Sequence, residues 1–123
     1  MRAHFAAFAR GLDAVAEFWH PEIEWRAVEG AADAVGGMRG HDALRSYYGD
    51  WLDTLDDMRA QVTDVLAADG DRVAVAVRNS GRGRASGAPT EGRYYVACTV
   101  AGGQIVSGRE YATPEEAIAA LSA

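Results

Sequence analysis

The sequence predicts a single α+β domain over residues 1–123, in which antiparallel strands pack against helices. Three observations lead to this prediction. The length of 123 residues fits one domain, apolar residues recur at helical spacing in much of the first half, and they alternate with period two in most of the second half. In chain order the patterns predict helix, helix, strand, helix, four strands and a short helix, an order typical of a meander covered by helices.

The first helical pattern runs from Phe5 to Trp19, where apolar side chains recur at steps of three and four. Gly11 interrupts it, so the pattern predicts either one bent helix or two short ones. His20 and Pro21 end it, because the residue before a proline disfavours helical geometry.

A strand, a loop and a further helix follow. Residues 22–28 alternate between apolar and polar side chains, which predicts a strand. Residues 29–40 are rich in glycine and alanine and have no period, which predicts a loop long enough to form a lid. Residues 44–55 return to helical spacing, and Asp42 lies in the first turn, where the helix dipole favours an acid.

The remaining chain predicts four strands and a last helix. The predicted strands are 58–67, 73–78, 94–100 and 104–112. A phase slip at Thr63 and Asp64 in the first of them predicts a β-bulge and a bent strand, and residues 79–92 predict a flexible strand end followed by a longer hairpin loop. Thr113, Pro114 and Glu116 have the spacing of a helix N-cap, first helical residue and capping-box acid.

Composition and charge disfavour several functions. The chain has 12 basic residues, all Arg, against 18 acidic ones, and its formal net charge of −6 disfavours nucleic acid and anionic membranes as partners. No apolar run approaches the roughly 18–20 residues that span a bilayer, and no segment has the pattern of a signal peptide, so we expect a cytoplasmic protein. Cys98 is the single cysteine, and the scattered His4, His20 and His41 predict neither a metal site nor a cofactor.

Two charged side chains fall on strand faces that otherwise carry small residues. Arg78 follows Ala74 and Ala76 on one strand, and Glu110 follows Gly108 on another. A charge is costly to bury unless it is paired or hydrated. Two interpretations remain open: a structural ion pair at the sheet rim, or the polar groups of an otherwise apolar pocket.

The opposite faces of these strands carry larger apolar residues, namely Val73, Val75, Val77, Ile105 and Tyr111. If the small residues face the interior, this apolar face is external and needs a cover. A second subunit would supply it, so we expect a homodimer through the outer sheet face.

Aromatic and small residues are the candidates for the wall of the predicted pocket. These candidates are Trp25, Ala27, Tyr48, Trp51, Ser80 and Cys98. Tyr47 is assigned to the core by default, as aromatic residues at helical spacing usually are. Cys98 fits a small buried apolar residue better than a nucleophile, since no histidine lies near it in sequence. Tyr94 and Tyr95 point to opposite faces, so only one of them is internal.

Several passages follow the order and spacing of a known family's landmarks. They are Phe18–Arg26, Gly40–Tyr48, Asp69–Val73 and Gly103–Tyr111. Together they resemble the SnoaL-like domains of the nuclear transport factor 2-like superfamily, which includes ketosteroid isomerases, polyketide cyclases and limonene epoxide hydrolases. The resemblance covers nearly the whole chain. It implies a conical roll, in which a strongly curved, mostly antiparallel sheet wraps around the N-terminal and central helices and encloses one apolar pocket, often in a dimer.

The resemblance also implies where catalytic groups would lie. The resemblance aligns the general-base Asp of the isomerases with Ala27. It aligns an Asp of the epoxide hydrolases with Ser80, and the two residues that hold water in those hydrolases with Trp25 and Ala27. Glu110 is the remaining candidate acid/base, with Arg78 to orient it or to stabilise an oxyanion. We therefore predict a protein that binds a small apolar molecule, with cofactor-independent isomerase, cyclase or hydrolase activity as one hypothesis. The alternative is a non-catalytic ligand-binding or dimerising accessory domain.

Overall fold

In the computed structural model, which describes residues 1–27 and 37–122, the strands pair into a β-sheet. The described strands are β1 (Trp19–Arg26), β2 (Gly37–Arg39), β3 (Leu55–Asp69), β4 (Arg72–Gly83), β5 (Pro89–Ala101) and β6 (Gln104–Tyr111). They form one curved sheet in the order β2-β1-β6-β5-β4-β3. Neighbouring strands are antiparallel, apart from the parallel pair β1 and β6. The predicted α+β class is confirmed.

Helices lie before the first strand, between β2 and β3, and after the last strand. They are α1 (Arg2–Ala6), α2 (Leu12–Ala16), α3 (Gly40–Leu52) and α4 (Pro114–Ala119), with 3₁₀ turns at Ala7–Arg10 and Ala120–Ser122. Gly11 has a φ of 97°, a conformation that glycine adopts readily and that breaks a helix. The first helical pattern is therefore two short helices, one of the two predicted forms.

Two boundaries near the first strand differ from the sequence prediction. β1 begins at Trp19, inside the predicted helix, because Trp19 pairs with Ile105 of β6 and is buried there. Gly37–Arg39 forms β2 where a loop was predicted, because its backbone pairs with β1. The predicted strand end at Val28 and the rest of the predicted lid, residues 29–36, lie outside the described residues.

The strands of the second half are longer than predicted. The bulge predicted at Thr63 is confirmed, since the register with β4 shifts between Val62 and Asp64. Residues 79–92, by contrast, are mostly paired strand, and the β4–β5 ladder continues out to Arg82 opposite Pro89. Strands pair through backbone hydrogen bonds and need no particular side chains. The polar, glycine-rich composition of residues 79–92 therefore gave no sign that the pairing continues through them.

The two faces of β4 are the reverse of the predicted ones, whereas Gly108 and Glu110 of β6 lie on the predicted internal side. Val75 and Val77 of β4 belong to the main core, which packs against α1, α2 and α3, so we call this side the helix face. Ala74 belongs to a separate cluster with Ala117 and Leu121, which follow the last strand, and we call this side the outer face. Placing the larger valines in the main core removes more apolar area from water.

The reversal removes the argument for a second subunit. The valines that were expected to need a cover are buried by the protein's own helices. Ile105 lies with them on the helix face, whereas Tyr111 lies on the outer face. The strict alternation assumed between these two residues fails because the β5–β6 register shifts between Thr99 and Val100.

Candidate functional site

Glu110 points from β6 into the helix face, and only 7% of the residue is exposed. Each of its carboxylate oxygens accepts a hydrogen bond from a neutral donor. Trp25 Nε1 on β1 donates to Oε2 at 2.9 Å, and the Tyr47 hydroxyl on α3 donates to Oε1 at 3.0 Å. The carboxylate is therefore held from two separate elements, and its orientation is fixed.

The approach of Trp25 to Glu110 depends on the absence of a side chain at Gly108. Trp25 and Gly108 are neighbours in the β1–β6 pairing. A Cβ at position 108 would lie 3.0 Å or less from three carbons of the Trp25 ring. Glycine at this position therefore allows the indole to lie across the strand and to reach the carboxylate two residues further on.

Three protonated side chains surround the carboxylate. Burial, followed by the negative charge of Glu110, raises the pKa of both Tyr48 and Tyr94 well above the usual value. Burial also raises the pKa of the Cys98 thiol to about 12. All three groups are neutral near pH 7, and a charge that develops among them is poorly screened because water is excluded. Within the described residues, the Tyr48 hydroxyl has no hydrogen-bond partner.

His4 lies in the same core, next to the indoles of β1. Its Nε2 accepts a hydrogen bond from Trp19 Nε1 at 3.0 Å, and its ring centroid lies 6.4 Å from that of Trp25. Burial lowers the pKa of His4 to about 3, so the ring is neutral. The sequence predicts no role for His4, because it lies far from the other two histidines. Its position four residues before Phe8, on the same apolar stripe, is the signal that places it in the core.

Arg78 is not part of this arrangement. Its neighbour Val77 is buried in the helix face, so Arg78 points to the outer face, where its Nη2 lies 2.9 Å from Glu91 Oε2. About half of each side chain in this ion pair is exposed. The expected pairing of Arg78 with Glu110 is wrong because the two side chains lie on opposite faces of the sheet. Arg78 does form an ion pair, but its partner is Glu91 and not Glu110.

Most of the predicted lining residues lie on the helix face. Trp25, Tyr48 and Cys98 are buried in the main core there, and Cys98 is the strand partner of Gly108. Trp51 is partly buried and packs against the same core, and with Ser80 it also lines a groove of about 220 Å³ beside the β4–β5 hairpin, to which Glu110 does not contribute. Ala27 is buried directly after the end of β1. The structure thus brings four of the six candidates to the side of the sheet on which Glu110 lies.

Tyr47 and Tyr94 are site residues that the sequence analysis did not assign to the pocket. Tyr47 was assigned to the core alone, and either Tyr94 or Tyr95 was left open as the internal residue. Tyr94 is the internal one, since it packs against the main core while Tyr95 packs under α4. Tyr47 is only half-buried, and its contact with Glu110 follows from the way α3 crosses β1 and β6, which no local pattern reveals.

Aromatic side chains occupy the helix face above Glu110. The Tyr48 ring lies 5.0 Å from Phe8, 5.2 Å from Tyr47 and 6.2 Å from Trp25, centroid to centroid. Tyr47 and Trp51 are the partly exposed members of the group. They form the solvent-facing side of the cluster.

The described ranges lack both a metal-ligand cluster and a membrane-spanning helix. Residues 1–27 and 37–122 contain no group of three or more His, Cys, Asp or Glu placed to hold a metal ion. None of the helices described above has the length and apolar character needed to cross a bilayer.

A curved six-stranded sheet with a few helices is the arrangement of nuclear transport factor 2-like folds. The family model of the SnoaL-like domain matches residues 1–108. The chain therefore belongs to the SnoaL-like domain family, and the resemblance noted in the sequence is confirmed. No curated protein matches the sequence.

Solved structures share this fold at low sequence identity. TerC, co-crystallised with polyporic acid, has a TM-score of 0.74 at 19% identity, with 98% of this chain and 94% of TerC covered. A candidate polyketide cyclase of Xanthomonas campestris has a TM-score of 0.70 at 23% identity, with 95% of this chain and 90% of that protein covered. A Catenulispora acidiphila protein with a ketosteroid isomerase-like fold, in complex with trimethylamine, has a TM-score of 0.74 at 15% identity, with 90% of this chain and 82% of that protein covered. At these identities the likeness shows the fold alone.

Proposed function

We propose that the protein binds a small, partly aromatic molecule on the helix face and that Glu110 exchanges a proton with it. The observation that carries this proposal is a buried carboxylate whose two oxygens are each held by a neutral donor. Neutral donors orient the carboxylate without adding a positive charge beside it. A carboxylate oxygen has more than one lone pair, so a hydrogen bond to each oxygen does not by itself prevent Glu110 from accepting a proton.

The surrounding groups suit a proton transfer next to a carbonyl or phenol. Glu110 takes a proton from the ligand, the ligand keeps the electron pair as an oxyanion, and Glu110 returns the proton at another atom. The Tyr48 hydroxyl, buried and protonated, is the donor best suited to the oxyanion. No cofactor takes part in this scheme, which belongs to the isomerase or cyclase class.

The nature of the ligand is supported by the lining and by relatives. Aromatic rings favour flat apolar partners, which they contact face to edge. One relative of the same fold was co-crystallised with polyporic acid, and another is named as a candidate polyketide cyclase. Because Trp25 and Tyr48 are buried and Trp51 is partly exposed, a ligand enters from the side of Trp51 and leaves the hydrogen bond between Tyr47 and Glu110 in place.

The proposal is tested in two stages. The first is a thermal-shift screen with polyporic acid and a set of polycyclic phenols, since a ligand at 100 times its Kd stabilises the fold by about 2.7 kcal/mol. The second is mass spectrometry of each bound compound in D₂O, which detects proton exchange without knowledge of the product. Glu110→Gln should still bind the ligand, and its exchange rate should fall by about 100-fold or more.

Matched variants make the result specific. Arg78→Gln, on the outer face, should match the unaltered protein in binding and exchange. Tyr48→Phe should bind but exchange more slowly, because it has no hydroxyl for the oxyanion. If Glu110→Gln keeps full exchange, Glu110 is only a structural acceptor, and the non-catalytic ligand-binding domain becomes the better description.

The homodimer and the cytoplasmic location predicted from the sequence remain untested predictions. The original reason for the dimer no longer applies, because the valine-rich face packs against the protein's own helices. The location rests on composition and on the sequence patterns given above.

A further inference from the structure

A groove of about 500 Å³ lies on the outer face, on the other side of the sheet from Glu110. Its walls are β2 and β1 on one side and the C-terminal turn Ala120–Ser122 on the other, with β6 between them. Among the described residues, its lining carries four guanidinium groups and one carboxylate, those of Arg26, Arg39, Arg72, Arg109 and Glu24. In a chain of net charge −6, this is a local concentration of positive charge.

Two of these arginines are neighbours across the parallel strands. Arg26 and Arg109 are partners in the β1–β6 register. The Arg26 guanidinium lies over β2, 3.8 Å from the place of a Cβ at Gly37, and Arg109 Cζ lies 5.3 Å from the centroid of the Tyr111 ring. Two guanidinium groups on neighbouring positions of adjacent strands raise the local positive potential, which favours an anion beside Arg26.

The other two arginines have local partners. Arg39 forms an ion pair with Glu24, and Arg72 Nη1 donates to the carbonyl oxygen of Leu121 at 3.3 Å. Within the described ranges Arg26 makes no ion pair. Arg26 is therefore the groove guanidinium best able to accept a new anionic partner, while the other three add to the positive potential around it.

We propose that this groove binds a small organic anion, a carboxylate or a phosphate that carries an apolar body. The anionic head lies beside Arg26 and next to Arg109, because a planar guanidinium matches the oxygens of either head in pairs. The apolar body lies against Tyr111 and Leu121, which share the same lining. The sheet separates this site from Glu110, so the proposal does not depend on the proton-transfer function.

The test is a titration followed by the backbone amide signals of ¹⁵N-labelled protein. Phenyl phosphate and benzoate distinguish a phosphate from a carboxylate head, and inorganic phosphate measures the head alone. We expect saturable shifts at Arg26, Ser107 and Arg109, with an aromatic probe binding more tightly than inorganic phosphate. Arg26→Gln should weaken the binding of that probe by about tenfold, the loss expected for one charged hydrogen bond.

The control is Arg78→Gln, which removes an equally exposed arginine from the outer face outside the groove. It should bind the probes as the unaltered protein does, and so should Glu110→Gln. Because Arg26 is exposed, its substitution should not impair folding, and Arg39→Gln provides a second variant of the groove. The proposal is wrong if no probe saturates, if Arg78→Gln weakens binding as much, or if Arg26→Gln changes only the association of the protein with itself.

Discussion

Glu110 depends on neighbours that lie far from it in the sequence. Trp25 and Tyr47 precede it by 85 and 63 residues, and only the pairing of β1 with β6 brings Trp25 beside Gly108. A buried carboxylate without donors costs several kcal/mol. The position of this side chain is therefore a property of the assembled sheet, and a small change beside it should be measurable.

Gly108→Ala tests the contact between Gly108 and Trp25. The new methyl group would meet the Trp25 ring, the indole would shift, and its hydrogen bond to Glu110 would weaken. We expect a loss of about 1–3 kcal/mol in the free energy of unfolding, measured by urea denaturation. The control is Gly49→Ala in α3, where the methyl group makes an ordinary contact 3.8 Å from Leu12 and helix propensity favours alanine by up to about 1 kcal/mol. Equal stability of Gly108→Ala and the unaltered protein would contradict the packing.

His4 makes the stability of the protein depend on pH. Burial lowers its pKa from 6.5 to about 3. As the pH falls below 6.5, the unfolded chain binds a proton at this position and the folded protein does not. Stability is therefore present above pH 6.5 and is lost towards pH 3, by up to about 1.4 kcal/mol per pH unit.

His4→Gln isolates this contribution. The Gln side-chain oxygen can accept the hydrogen bond from Trp19 but does not titrate. Urea denaturation between pH 6.5 and about pH 4 should show a shallower loss of stability for this variant than for the unaltered protein. Parallel pH profiles of His4→Gln and the unaltered protein would mean that His4 is not buried as a neutral ring.

At the level of elements, α4 is placed on the sheet by small side chains. Ala74 and Ala117 are fully buried in one cluster, in which Leu121 packs beside them. Small residues allow the backbone of a helix to approach a sheet closely. Ala74 lies on the strand face for which a pocket was one of two open interpretations, and it is thus explained by the docking of a helix of only six residues.

The start of α4 was predicted from the sequence and is confirmed. The Thr113 hydroxyl accepts a hydrogen bond from the backbone N–H of Glu116 at 3.3 Å, and Pro114 follows the cap. Thr113→Ala should lower the free energy of unfolding by about 1 kcal/mol, measured by thermal or urea denaturation. Thr113→Ser keeps the hydroxyl and should restore most of this loss. If both variants are as stable as the unaltered protein, α4 contributes little to the cooperative fold.

For the whole molecule, the sheet keeps two polar regions apart. Glu110 lies among aromatic rings on the helix face, and the arginine-lined groove lies on the outer face. A carboxylate and a guanidinium cluster on the same side would attract each other, and neither would keep its own environment. The separation allows one side to exclude water while the other remains accessible to anions.

The same arrangement bears on self-association. The helices cover the valines of β4, and α4 covers part of the outer face. A homodimer through the outer face would bring the arginine-lined grooves of two copies close together, which is unfavourable. We expect sedimentation at micromolar concentration to give a single chain of 13.1 kDa. A species of twice that mass would contradict this expectation and support the homodimer predicted from the sequence.

Local patterns predicted much of the fold. The break at Gly11, the bulge at Thr63 and the cap at Thr113 each depend on a few adjacent residues, and all three are present. The strand β2 and the long β4–β5 hairpin were not predicted, because their residues become strands only when another strand supplies the hydrogen bonds. Boundaries that depend on pairing cannot be inferred from one segment alone.

By itself, the sequence determined the α+β class, the SnoaL-like family and the choice of Glu110 as the acid to examine. Only the tertiary structure decided which face of the sheet is internal, that Trp25 and Tyr47 hold Glu110, and that Arg78 pairs with Glu91 instead. The reason is that period-two alternation shows that two faces differ but not which one the helices cover. That choice depends on the packing of the whole chain.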